Sequence, residues 1–334
     1  MSIMAKAVPD AAIQRFEGLD QLRGVAVVLI HFVDLFLLLW DRASGFDWFG
    51  SFIIDRFPVY GIPPILFAFS TGLGVMLWKP RHREIDYLFR RSSLLMLSGF
   101  FLSYYVDGSA DAWGLFEMIA LLNIIIFFVD SVPLTVFGIS MVLVANAFKP
   151  PFYSFGFPRV PYFFPDFELL PRIVSQSLVS GLFPLIPFLG WGLWGLLVGK
   201  IRGRESHLLL AGIIPATVGL GLRVVQPFEY NQAGNVYSTS MIVFSCGACS
   251  LSLWLLTKFR IAPLARFGMY AWRLTFWRYF ALYMPFVWFG LFRSLPNMAA
   301  LVVSVLSAIA QIAITYVRTD RLRELLSKPL TKMH

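Results

Sequence analysis

The chain has 334 residues, of which 58% are hydrophobic and only 14% are charged, and its formal net charge is +9. Ordinary soluble domains carry about a quarter charged residues, and the apolar runs of this chain, about 18–22 residues each, match the length that crosses roughly 30 Å of hydrocarbon. This pattern excludes a soluble enzyme or a DNA-binding factor, because excess Lys and Arg in a membrane chain record topology rather than contact with nucleic acid.

The predicted fold is all-α, a polytopic transmembrane helical bundle embedded in the lipid bilayer. Residues 1–20 are predicted to form a cytoplasmic N-terminal segment, residues 21–318 the transmembrane domain, and residues 319–334 a basic cytoplasmic tail. Ten spans are predicted: 21–40, 59–78, 89–106, 112–129, 132–148, 176–199, 207–225, 238–257, 265–288 and 297–317.

The basic residues give a separate test of this count. With a cytoplasmic N-terminus, the predicted inner segments hold eighteen Lys and Arg residues and the outer segments hold seven. Cytoplasmic loops of membrane proteins carry this excess. The distribution favours an even number of spans with both termini in the cytoplasm, in a plasma membrane or a bacterial inner membrane.

Four ionisable residues share one face of the first predicted span. At 100° per residue, Asp20, Arg23, His31 and Asp34 fall within about 80° of one another. With a rise of about 1.5 Å per residue, His31 lies about 12 Å deeper than Arg23. Charged groups at membrane depth avoid lipid, so we expect this face to line a cavity or to meet counter-charges on other helices.

The same face carries groups that suit transfer chemistry. Histidine titrates near neutrality and can move a proton or accept an acyl group, and the Asp34 carboxylate one turn away can orient it and stabilise its cation. Arginine binds phosphate or pyrophosphate in a bidentate manner. The residues leave two interpretations open, because His31 and Asp34 could equally be a structural hydrogen-bonded pair between helices.

Three further ionisable residues are predicted at membrane depth: Glu117 in the fourth span, and Arg273 and Arg278 in the ninth. The two arginines are five positions apart, or about 140° around a helix, so they cannot both point directly into one pocket. At least one is expected to be structural or to extend toward the interface. Glu117 is either a structural partner of an arginine or part of the binding site.

Other sequence features favour packing roles. The segment 149–172 is too rich in proline for a regular helix and too apolar for a free linker, so we expect an outer interfacial loop, either a plain loop or a lid. Cys246 and Cys249 have CxxC spacing inside an apolar span but lack the further ligands that zinc needs, so no metal site is predicted. Gly195 and Gly199 form a GxxxG pair that predicts close helix packing.

The start of the first span, residues 15–26, reads RFEGLDQLRGVA. Its RxxxLDxLRGxA pattern resembles the opening signature of heparan-α-glucosaminide N-acetyltransferase-like membrane acyltransferases and, more distantly, of the acyltransferase-3 group. Segments that follow in the same order resemble later helices of the first group, so the resemblance covers most of the chain: 64–72, 90–99, 113–120 and 183–199.

The resemblance implies transfer of an acyl group, often acetyl from acetyl-CoA on the cytoplasmic side, to a hydroxyl or amine of a glycan, lipid or other acceptor. No tightly bound cofactor is predicted, and acyl-CoA is the expected co-substrate. We expect Arg23, with Arg278, to hold its anionic end, Glu117 to belong to the same binding region, and His31 to act as a base or transient acyl acceptor oriented by Asp34.

The chain departs from the family pattern in two places. Asp34 stands where the acyltransferase-3 pattern has a histidine, and the histidine lies one turn earlier, at His31. The ninth span holds Ala271, Thr275 and Arg278 where the family has serine, tyrosine and histidine. Two other functions therefore stay open. One is a catalytically degenerate structural subunit of a larger membrane complex with protein or pigment partners, and the other is a transporter or flippase that lacks an ATP-binding motif.

Overall fold

The chain folds into helices throughout the part that the structure describes. A computed structural model describes residues 16–39, 62–78, 85–102, 111–147, 185–201, 205–225, 238–278, 299 and 302–310, and no strand occurs among them. The predicted all-α class is therefore confirmed. The helices, in chain order, are α1 Glu17–Leu39, α2 Ile62–Trp78, α3 Ile85–Leu102, α4 Asp111–Phe127, α5 Val132–Ala147, α6 Leu185–Ile201, α7 Glu205–Val225, α8 Thr239–Lys258, α9 Ala262–Met269, α10 Ala271–Arg278 and α11 302–310.

Two helices, α7 and α8, are long and apolar enough to cross a membrane by length and composition. α7 buries only a narrow stripe of residues, formed by Leu208, Gly212 and Gly219. The rest of its surface is apolar and exposed, as Ile214 at 56% and Val224 at 86% illustrate. A helix that buries small residues and exposes large apolar ones is typical of contact with lipid.

The interface of α2 and α6 depends on glycines at which the two backbones meet. A Cβ atom on Gly72 would collide with the backbone carbonyl of Gly192, and one on Gly195 would collide with that of Phe69. A Cβ on Gly199 would press against the side chain of Met76. The GxxxG pair therefore acts in close helix packing, as predicted. The two helices are parallel, because Ala68 faces Gly192 near one end of the contact and Met76 faces Gly199 near the other.

α6 and α8 are joined by two hydrogen bonds between side chains. The indole nitrogen of Trp191 donates to the Ser245 hydroxyl at 2.7 Å, and that of Trp194 donates to the Ser250 hydroxyl at 2.9 Å. Trp191 is fully buried. An indole N–H enclosed by apolar side chains needs an acceptor, so these two serines fix the register of α8 against α6.

The ninth predicted span, 265–288, is not one continuous helix in its described part. α9 ends at Met269, Tyr270 leaves the helical conformation, and α10 begins at Ala271. The Tyr270 N–H bonds to the Phe267 carbonyl at 3.1 Å, which closes the last turn of α9 more tightly than an α-helix. Gly268, a weak helix former, lies just before this break.

Several connections meet at one end of the bundle. Arg260, which follows α8, pairs with Glu17 of α1 at 2.7 Å, and Lys258 pairs with Glu205 at the start of α7. Lys200, near the end of α6, donates to the backbone carbonyl of Asp130 between α4 and α5 at 3.0 Å. All of these positions belong to segments that the sequence assigns to the cytoplasmic side.

Candidate functional site

The polar face of α1 points into the protein where the structure describes it. Asp20 is 4% exposed and His31 is 5% exposed, and the Arg23 side chain keeps 25% of its surface open. α1 packs against α2, α8, α9 and α10. Asp20 and His31 are therefore buried inside the protein, while the side chain of Asp34 lies outside the described residues.

His31 is oriented by its own helix. Its Nδ1 atom lies 2.7 Å from the carbonyl oxygen of Val27, one turn earlier. A carbonyl oxygen only accepts hydrogen bonds, so Nδ1 is the donor in this contact. In the neutral form of the ring the lone pair is then on Nε2. This is the tautomer that a general base working through Nε2 requires. The role given to Asp34 in orienting the ring stays a prediction.

Arg23 extends from α1 across to α2. Its Nη2 atom donates to the carbonyl of Ser70 at 3.5 Å, and Nη1 lies 3.9 Å from the Asp20 carboxylate. The guanidinium also lies directly over Gly74, where a Cβ atom would be 2.5 Å from Nη2. Glycine at this position of α2 therefore makes room for the arginine head group, which is partly buried and partly open.

Gln21 joins α1 to the connection between α8 and α9, and the sequence reasoning missed it. Its amide nitrogen donates to the Leu256 carbonyl at 2.8 Å, and its amide oxygen accepts from the Ile261 N–H at 2.8 Å. Gln21 is only 1% exposed. A neutral amide both donates and accepts, so it satisfies two backbone groups at helix ends with one side chain. We call this pair of contacts the Gln21 bridge.

α9 lies against the first turns of α1 with almost no space between the backbones. A Cβ atom on Gly24 would collide with the Leu264 carbonyl, and one on Gly268 would collide with the Asp20 carbonyl. Each glycine faces a backbone carbonyl of the other helix, so α1 and α9 cross in direct backbone contact. The short helix thus covers the side of α1 next to Asp20, while α2 covers the side next to Arg23.

The structure does not bring all the predicted site residues to this face. Glu117 is half-buried on α4, a helix that packs mainly against α3, α2 and α6. Arg273 is exposed on α10, and the side chain of Arg278 lies outside the described residues. Arg23 and His31 are therefore the predicted site residues whose described side chains share the buried face of α1. The binding roles of Glu117 and Arg278 stay predictions.

The two cysteines are buried free thiols on α8. Within the described part of the chain, no group of three or more His, Cys, Asp and Glu residues is arranged to hold a metal ion. Both thiols lie in the apolar interior of the bundle, among the residues that pack together there. Burial of this kind is typical of cysteine used as a small apolar side chain.

The chain was also compared with known proteins. No model of a protein family matches it, and no curated protein is similar to it.

Proposed function

We propose that this protein is a multi-pass membrane acyltransferase that moves an acyl group from acyl-CoA to a hydroxyl or amine of a glycan-type or lipid-type acceptor. The observation that carries the proposal is the buried imidazole of His31, which has Nδ1 bound to a backbone carbonyl at 2.7 Å. Arg23 lies on the same helix face, about 12 Å away along the axis. A base and a partly exposed guanidinium separated by about 12 Å could contact the two ends of a long anionic acyl donor, the thioester and the phosphates.

The proposed reaction uses the tautomer of His31. Nε2 takes the proton from the acceptor hydroxyl or amine as that atom attacks the thioester carbonyl carbon. The C–S bond then breaks, the acyl group stays on the acceptor, and the departing thiolate receives the proton from the imidazolium. The Val27 carbonyl holds the Nδ1 proton in both states, so the ring does not need to turn during the transfer. Asp34 is proposed to stabilise the imidazolium.

Arg23 is proposed to bind the phosphate groups of the donor. It is the more exposed of the two groups on this face, with 25% of its side chain open. Its guanidinium already bonds the Ser70 carbonyl, so the head group is held in place before a ligand arrives. Preorganisation of this kind lowers the entropic cost of binding.

The membrane setting is supported by the two membrane-length helices and by the exposed apolar side chains of α3, α5 and α7. The contacts of Arg260, Lys258 and Lys200 lie at one end of the bundle. This agrees with spans that alternate in direction in a chain whose N-terminus is cytoplasmic. We therefore propose a plasma-membrane or inner-membrane location, with the Arg23 end of α1 facing the cytoplasm, where acyl-CoA is made.

A transfer assay with a matched variant tests the proposal. Purified protein in lipid nanodiscs is incubated with radiolabelled acetyl-CoA and with glycan and lipid extracts as acceptors, and labelled products are separated from the donor. His31→Asn is the sharpest control, because a helical asparagine can donate to the carbonyl one turn earlier, as Asn123 does to Ile119 at 2.9 Å. It keeps this contact and removes the base.

We expect the wild type to label an acceptor and His31→Asn to lose at least 100-fold of that activity. Equal activity in the two proteins would remove His31 from the mechanism. A wild type that binds no acyl-CoA and copurifies with stoichiometric membrane partners would instead support the structural subunit. Transport of a solute into liposomes without covalent change would support the transporter.

A further inference from the structure

Buried hydroxyl groups in these helices usually bond to the carbonyl one turn earlier. This is the common way for serine and threonine to satisfy a hydroxyl inside an apolar helix. Four buried examples follow it, at distances from 2.6 to 3.0 Å: Thr71 to Phe67, Thr135 to Ser131, Ser245 to Met241 and Ser250 to Cys246.

Three buried hydroxyls in the described helices depart from this pattern. The Oγ atoms of Ser70 and Ser92 and the Oγ1 atom of Thr275 have no hydrogen-bond partner. A hydroxyl that is buried and unpaired loses its bonds to water without replacement, which is unfavourable. The neighbouring Thr71 hydroxyl does bond to the carbonyl one turn earlier in α2. The helix therefore allows such a bond, and the lack of one is specific to position 70.

Ser70 lies beside the polar face of α1. Its carbonyl accepts from Arg23, and Gly74, one turn further along α2, contacts both Arg23 and Leu19. These contacts make α2 antiparallel to α1. Side chains in a helix lean toward its N-terminus, and in α2 this is the direction in which α1 runs from Arg23 to His31. The Ser70 hydroxyl, only 1% exposed as a residue, is therefore placed on the His31 side of the Arg23 head group.

We propose that Ser70 is a ligand-binding residue that donates a hydrogen bond to a carbonyl oxygen of the acyl donor. The inference rests on the proposed function. Ser70 is then a third ligand-binding residue, located between the phosphate-binding Arg23 and the base His31. The arm that joins the phosphates of acyl-CoA to its thioester would lie at this depth. That arm carries amide carbonyls and ends in the thioester carbonyl, and each is an acceptor for a hydroxyl that has no acceptor of its own.

Binding measurements on single-residue variants test this inference. Wild type, Ser70→Ala and Ser92→Ala are placed in nanodiscs, and their dissociation constants for acetyl-CoA are measured by calorimetry. Ser92 is the matched control, because it is also buried and unpaired but lies on α3, which packs mainly against α4. Ser70→Cys adds a variant of similar size with a weaker donor.

We expect Ser70→Ala to bind acetyl-CoA about 3- to 10-fold more weakly than the wild type, as for loss of one neutral hydrogen bond. Ser92→Ala should bind as the wild type does, and Ser70→Cys should lie between. The melting temperature of Ser70→Ala should equal or exceed that of the wild type, since the lost hydroxyl has no partner in the free protein.

A thioether analogue of acetyl-CoA identifies the carbonyl. If Ser70→Ala weakens acetyl-CoA binding but not analogue binding, the hydroxyl contacts the thioester. If it weakens both, the hydroxyl contacts an amide of the arm. Acetyl-CoA binding that is equal in wild type and Ser70→Ala overturns the role of Ser70 and leaves the proposed function intact. A wild type that binds no acetyl-CoA overturns the proposed function and this inference with it.

Discussion

Replacing Gln21 by leucine tests whether the Gln21 bridge holds α1 to the connection between α8 and α9. The change keeps most of the side-chain volume and removes both hydrogen bonds, each of 2.8 Å. A buried backbone group left without a partner costs about 1–3 kcal/mol. Ile261 is 42% exposed, so its N–H can bind water, and the loss comes mainly from Leu256. We therefore expect a destabilisation of about 1–3 kcal/mol.

The assay is reversible unfolding of the purified protein by sodium dodecyl sulfate in mixed micelles, followed by circular dichroism. Gln21→Glu separates the two contacts, because a carboxylate still accepts from the Ile261 N–H but has no N–H to donate to Leu256. It should be at least as unstable as Gln21→Leu. Ser140→Ala is the control, since the Ser140 hydroxyl is exposed and its loss should stay within about 0.5 kcal/mol. A leucine variant as stable as the control would refute the reasoning.

Two other changes test the close contacts between helices by the same measurement. Gly268→Ala should destabilise the protein by about 3 kcal/mol or more, because its Cβ would collide with the Asp20 backbone. Gly221→Ala is the control: nothing lies within 4 Å of the new Cβ, so the change should be neutral or stabilising by about 0.5–1 kcal/mol. Equal effects at the two sites would contradict the α1–α9 contact. Trp191→Phe should cost about 1–2 kcal/mol through loss of its 2.7 Å bond to Ser245, and a double-mutant cycle with Ser245→Ala that shows no coupling would contradict that bond.

The sequence predicts the helices well because helix formation in an apolar segment is a local property. The first eight predicted spans correspond to α1–α8, with end differences of a few residues in most cases. The sixth differs most, since α6 begins at Leu185 and the segment before it lies outside the described residues. The count of ten membrane spans stays a prediction. Among the described helices, two, α7 and α8, are both long enough and apolar enough to count as candidate membrane spans.

The ninth span shows where local reasoning fails. Residues 265–288 are apolar enough to predict one helix, but α9 stops at Met269. The features at this point are tertiary: the backbone of Gly268 lies against Asp20, some 250 residues earlier in the chain. The hydropathy of a segment indicates whether its environment is apolar or aqueous, and it carries no information about a backbone contact with a distant helix.

In the candidate site, too, the sequence predicts the features that depend on local helix geometry and misses those that depend on tertiary contacts. Helical periodicity places Asp20 and His31 on one face, and the structure buries both. Gln21 escapes this reasoning because its partners are backbone groups of Leu256 and Ile261. A backbone carbonyl is present at every residue, so no residue type marks the position where a distant side chain will bond.

This difference changes how the polar face of α1 is stabilised. The sequence predicts counter-charges on other helices for it. In the structure, Arg23 pairs with Asp20 of its own helix at 3.9 Å, and two side-chain hydrogen bonds of the face end on neutral carbonyls, those of Val27 and Ser70. A carbonyl dipole orients a polar group without neutralising it, whereas a buried ion pair would hold both charges in one place. The carbonyls of Ser70 and Val27 thus orient Arg23 and His31, the two groups to which the proposed function assigns phosphate binding and proton transfer.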